Sequence, residues 1–295
     1  MNPKILSFTL LAALCLIGWA KLSPEKESSH LHVALLQTAA HPALDTVKES
    51  FQKTLQKRFE NQEIKFIEYN GFGQMSSLQM MAQSIIRRSE IALTLSIGTA
   101  ATQAITSIET QKPIVFAAVT DPSILKVNLD SGNVYGISDA VSAQAQMDLI
   151  RAHFPTAQKI GLIFNPSEPN SLYALKKLQE AISKLHLESF PIGIQSSSEV
   201  PAMVESAVRK CDLILAPTDN LVAMSMPLIA KITRRANIPL VASDLLLCGK
   251  DKANAAFGID YQEAGIAAAE LAYRRLTKQK IENHVESMDC RWVSQ

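Results

Sequence analysis

The residues able to do chemistry in this chain recur in one kind of place, the end of an apolar run. "PIVFAAVTDP" (113–122), "LILAPTDN" (213–220), "PLVASD" (239–244) and "AAFGID" (255–260) each pass from apolar residues into polar ones that include a carboxylate. Gln37, Thr38 and His41, then Ser96 and Thr99, then Asn165 and Ser167, mark further such endings. Carboxylates accept from ammonium groups, and hydroxyls and carboxamides both donate and accept, so the set suits a small polar or zwitterionic molecule. Taken singly, Thr99, Asn170 or Ser171, and Asp219 or Asn220 have a plainer role. Each precedes or opens a helical stretch, where its oxygen caps an orphan backbone N–H. Convergence favours the functional role, because neighbouring strand ends in one sheet face one crevice. A hydroxyl at a helix start, as in "IGTAA" (97–101), adds N–H donors and a dipole that favours a small carboxylate or phosphate.

Catalytic signatures are sparse. The sequence has no GxSxG, HExxH or P-loop, and "GFGQMSS" (71–77) lacks the third glycine of a dinucleotide fingerprint. The aspartates are too widely spaced for a cation loop, so neither a metal nor a cofactor is expected. An enzyme of hydrolase or nucleotide-modifying type, using Asp219, Asp244 or Asp121, stands as the alternative to a binding protein.

The elements that must position these residues follow from periodicity. Apolar runs such as "HVALLQ" (32–37), "IALTLSI" (91–97), "PIVFAAV" (113–119), "KIGLIF" (159–164) and "LILA" (213–216) alternate with helical stretches such as 171–185 and 261–279. Strands that are apolar throughout, separated by amphipathic helices, predict α/β architecture with two doubly wound parallel-sheet lobes. Ligands of such sheets bind beyond the carboxyl ends of the strands, where the four quoted endings fall. With 295 residues, 47% hydrophobic, the chain is long enough for two such lobes. Lys and Arg number 29 against 28 Asp and Glu, so no basic field exists to hold nucleic acid or an anionic membrane.

The N-terminus predicts a signal peptide over 1–20: Lys4, an apolar run from Ile5 to Ala20, and small residues at Gly18 and Ala20. Cleavage after Ala20 competes with lipidation of Cys15, whose preceding Leu14 is large for a lipoprotein signal. Either way, export to the periplasm is expected, and a lipid anchor at Cys15 would add membrane association. Residues 21–31 are expected to form a tether. Cys211, Cys248 and Cys290 show no CxxC spacing, which suggests neither a zinc site nor a disulfide framework, although a Cys248–Cys290 bridge stays open.

"QTAAHPALDTVKESF", "IGTAATQA", "PIVFAAVTDP", "NPSEPNS", "APTDN", "ASD" and "FGIDYQEAG" occur in an order that resembles the ABC-transporter substrate-binding proteins, including tryptophan- and tyrosine-binding members. The resemblance implies a type I periplasmic-binding-protein fold with a hinge. It places lobe one at 32–119 plus 261–280 and lobe two at 120–260 plus 281–295, with chain crossovers near 119–122, 258–261 and 280. It implies a monomer that encloses an amino-acid-like ligand and delivers it to an ABC permease. By motif, Thr99 with the N–H groups beside it at Ala100, and Thr120, look like the carboxylate side of the site. Asp219, Asn220 and Asp244 suit an α-ammonium or the fixing of lobe two on closure. Gln37 and His41 suit the side-chain pocket, with Thr38, Asn170 and Ser171 at the same strand and helix ends. Asp121 and Asp260 have two readings, ligand contact or bracing of the hinge.

Overall fold

The computed structural model describes residues 30–125 and 132–295. The leader, Cys15 and nearly all of the tether lie outside the described residues. In chain order the elements are β1 (Leu31–Gln37), α1 (Pro42–Arg58), β2 (Ile64–Asn70), α2 (Met75–Arg87), β3 (Ile91–Ile97), α3 (Thr99–Thr106), β4 (Ile114–Val119) and β5 (Val134–Ser138). Then come α4 (Ala143–His153), β6 (Lys159–Phe164), α5 (Pro169–Lys184), β7 (Glu188–Gly193), α6 (Val200–Ala207), β8 (Leu213–Ala216) and α7 (Asn220–Arg235). The chain closes with β9 (Leu240–Ala242), β10 (Ala255–Gly258), α8 (Tyr261–Leu276), β11 (Val285–Ser287) and β12 (Arg291–Ser294).

Among the described residues two six-stranded sheets form, ordered β11-β5-β4-β3-β1-β2 and β12-β10-β9-β8-β6-β7. Every pairing is parallel except β10 with β12. The apolar strands are explained by burial on both faces. In β1, Val33 and Leu35 join the core under α1 and α8, while Ala34 and Leu36 join the core under α2 and α3. In β8, Ile214 and Leu215 likewise divide between two cores. Each fully buried aliphatic side chain contributes about 1.5–3 kcal/mol relative to exposure. Helices α1 and α8 pack closely because residue 265 is glycine: a Cβ there would lie 2.5 Å from the Val47 carbonyl oxygen.

The sheet order corrects the expected lobe boundaries. β5 pairs with β4 and β11 pairs with β5, so both belong to the first lobe, not the second. The chain therefore crosses between lobes at 139–142, 259–260 and 288–290 rather than near 119–122 and 280. The expected crossing at 258–261 coincides with the second of these. The first strand also begins at Leu31, within the expected tether. The boundary was misplaced because no α-helix lies among the described residues between β4 and β5, only a short 3-10 turn at Pro122–Leu125, so the strand–helix alternation fails there.

Candidate functional site

Strand ends and helix starts of both lobes meet at a tight cavity of about 30 Å³. The first lobe supplies His41 from the β1–α1 loop, Gly98 and Thr99 at the start of α3, Ala118 and Thr120 at the end of β4, and Asp139 just beyond β5. The second supplies Asn170 from the first turn of α5, Asp219 and Asn220 at the start of α7, and Asp244 just beyond β9. Tyr261, the first residue of α8, also lines it. Ala118 takes a left-handed φ of 57°, within the interval from Phe116 to Val119 where the β4–β5 register shifts. Gly98 has φ 90°, and a Cβ there would meet the Thr38 hydroxyl at 2.6 Å. Thr38 Oγ1 accepts from the Ala101 N–H at 3.1 Å and donates to the Ile97 carbonyl at 3.0 Å. Thr38 therefore fixes the start of α3 from behind, and the N–H groups of the opening residues have no intrahelical partner.

The lining is acidic. Asp139 is buried and accepts from the Tyr261 hydroxyl at 2.8 Å through Oδ2; burial raises its pKa. Burial also pushes Asp244 up to about 7. Burial, then the neighbouring Glu168 carboxylate, raises Asp219 to about 7. Asp219 is heavily engaged: Oδ1 accepts from the Val222 N–H at 2.9 Å, capping α7, and Oδ2 accepts from the Asn165 N–H at 2.7 Å. One Asp244 oxygen accepts from the Leu246 N–H at 2.8 Å. Across the cleft, His41 Nε2 lies 3.1 Å from Asn220 Oδ1. Three lining residues each hold a buried polar atom without a partner: His41 Nδ1, Thr99 Oγ1 and Asp139 Oδ1. Unpaired buried polar atoms are uncommon, and three of them line this one cavity.

The sequence profile of the ABC transporter substrate binding proteins matches residues 32–289. This chain belongs to that family. A tyrosine-binding protein of Clostridioides difficile (strain R20291) is 33% identical to this substrate-binding protein over 256 residues, 85% of this chain and 74% of the relative. Among solved structures, an ABC domain from Streptococcus pneumoniae in complex with L-Trp aligns with TM-score 0.81 at 26% identity, covering 90% of this chain and 92% of the other. A ligand-free, open substrate-binding protein with adhesive properties from Clostridium difficile aligns with TM-score 0.65 at 31% identity and the same coverage. Shape and sequence rank these two neighbours oppositely. Over the whole chain this substrate-binding protein superposes more closely on the L-Trp complex than on the ligand-free, open form.

Of the residues the sequence singled out, the substrate-binding protein brings His41, Thr99, Thr120, Asn170, Asp219, Asn220 and Asp244 to the cavity. It places Gln37, Thr38, Ala100, Asp121 and Ser171 off that wall. Gln37 is buried and donates to the Ala39 carbonyl at 2.7 Å and to Asp45 at 2.9 Å, which fixes the β1–α1 loop. Ser171 Oγ accepts from the Asn165 N–H at 3.0 Å. Asp121 accepts from the Ser123 N–H at 3.0 Å, ordering the short turn after β4. Asp260 caps α8 through Gln262 and also takes Arg291 at 2.5 Å, which ties the second crossover to the third. Asp139 and Tyr261 escaped sequence reasoning. The signal for Asp139 was present, because "VYGISDA" (134–140) is another apolar run ending on a carboxylate, but it lay in a stretch without helical alternation.

Proposed function

We propose that this substrate-binding protein is exported, closes its lobes on an amino acid with an aromatic side chain, and delivers it to an ABC permease. What supports the ligand class is the set of unpartnered polar atoms on the cavity wall. Asp139 Oδ1, buried and free, takes the α-ammonium, and Tyr261 holds the carboxylate's other oxygen. Thr99, through its hydroxyl and its N–H at the start of α3, takes the α-carboxylate, using the helix dipole. Among the described residues no Lys or Arg lines the cavity, so the helix start is the anion's main counterpart. Leu44, Ala118, Ala223 and Leu247 supply apolar wall for the side chain. Exclusion of water on closure strengthens these few charge-assisted bonds. The tyrosine-binding relative and the L-Trp complex support the aromatic choice. Export rests on the leader, and delivery rests on the family.

The test is a thermal-shift and calorimetric screen of the purified protein against the twenty amino acids. Tyr or Trp at about 100 times Kd should stabilise the protein by roughly 2.7 kcal/mol, a rise of several degrees in Tm. Absence of any shift across the panel overturns the amino-acid reading.

A further inference from the structure

The hydrogen-bonding state of His41 follows from its neighbours. Glu168 accepts from Asn220 Nδ2 at 2.6 Å, and a carboxylate is an acceptor only, so the amide nitrogen of Asn220 must face it. The amide oxygen then faces His41, and at 3.1 Å it must receive a hydrogen from Nε2. Burial, the largest influence on His41, lowers its pKa and keeps the ring neutral. A neutral ring with its hydrogen on Nε2 carries a bare lone pair on Nδ1. That atom is buried and unpartnered, and the residue is only 8% exposed.

His41 also shares the lining of two cavities with the apolar residues Ala223 and Leu247. The second cavity, of about 280 Å³, adjoins the first. These three residues form the partition between the two spaces. Asp139 and the α3 start hold the two charged ends of the ligand in the reading above, so the lining shared by His41, Ala223 and Leu247 falls to its side chain. We infer that His41 Nδ1 is a specificity determinant that accepts a hydrogen bond from the ligand's side chain, selecting aromatic side chains that carry an N–H or O–H over purely hydrocarbon ones. This rests on the amino-acid reading of the cavity.

Calorimetry with L-Tyr, L-Trp, L-Phe, O-methyl-L-tyrosine and 1-methyl-L-tryptophan tests it on the unaltered protein. A donor-bearing ligand, Tyr or Trp, should bind on the order of tenfold or more tightly than Phe and than its own methylated form. In His41→Leu the preference over Phe should fall toward one. The ¹⁵N shifts of the His41 ring give a check independent of any variant: Nε2 should carry the hydrogen, and Nδ1 should shift when the donor-bearing ligand is added. Equal binding of Phe, or a hydrogen on Nδ1 in the free protein, overturns the inference and leaves amino-acid binding intact. Failure of all five ligands to bind removes the amino-acid reading and this inference together.

Discussion

Asp139 holds one oxygen against Tyr261 and leaves the other unpaired in a buried site. Asp139→Asn keeps the shape and removes the charge, so amino-acid affinity should fall by roughly 1.5–3 kcal/mol, on the order of ten- to a hundredfold. Titration calorimetry reads this, with a urea melt confirming that the variant is folded. The acidic lining also sets a pH dependence. Asp219 and Asp244, raised from 3.8 to about 7, and Asp139, also raised, bind protons more tightly in the folded chain than in the unfolded one. Their stabilising contribution is present at low pH and is lost as pH rises toward 7. His41, lowered from 6.5, acts in the opposite sense, and the three carboxylates outweigh it. The Tm of the ligand-free protein should therefore fall between about pH 4 and 7. Affinity for an ammonium-bearing ligand should rise over the same window, with protons released on binding, as calorimetry in buffers of different ionisation enthalpy will show. The sequence made Thr99, Thr120, Asp219 and Asp244 legible because each ends an apolar run or opens a helix. It did not separate the carboxylate with a free oxygen, Asp139, from the heavily engaged one, Asp219, because that depends on contacts such as Asn165 to Asp219, far apart in the chain.

At the scale of elements, the alternation of strands and helices was readable wherever a helix joined two strands. It failed between β4 and β5, and so did the first hinge position. The real crossovers are bound together: Asp260 opens α8 and reaches Arg291 at the start of β12. Loss of the cap in Asp260→Ala should destabilise the protein by about 1 kcal/mol. Arg291→Ala should remove less, since Arg291 is 57% exposed and exposed ion pairs contribute about 0–1 kcal/mol. Urea denaturation of the two variants gives the order. Because Asp260→Ala removes both the cap and the ion pair, equal losses in the two variants would show that the ion pair, rather than the cap, holds the crossovers.

For the whole molecule, lobe arrangement is the property that composition and periodicity do not encode. Parallel sheets and a cleft at their carboxyl ends were expected from the strand pattern. The His41–Asn220 bond across the cleft was not, since it joins loops of different lobes. Hinge closure around a ligand is the motion this architecture supports. Asn220→Ala removes both that bond and the donor to Glu168. Small-angle scattering should then give a larger radius of gyration for the ligand-free variant than for the ligand-free parent. Saturating ligand should bring the two together, at an affinity for the variant lowered by roughly tenfold. Identical ligand-free scattering would remove any role for this bond in holding the lobes.

The bond between Tyr261 and Asp139 joins the second crossover to the first at the floor of the cavity. It has a kinetic consequence. A ligand held by Asp139 is held by the hinge itself, so its escape and the bending of the hinge are one event, and residence time is set by the opening rate. Tyr261→Phe should therefore speed dissociation in stopped flow much more than it slows association, because an already open cleft admits ligand without breaking that bond.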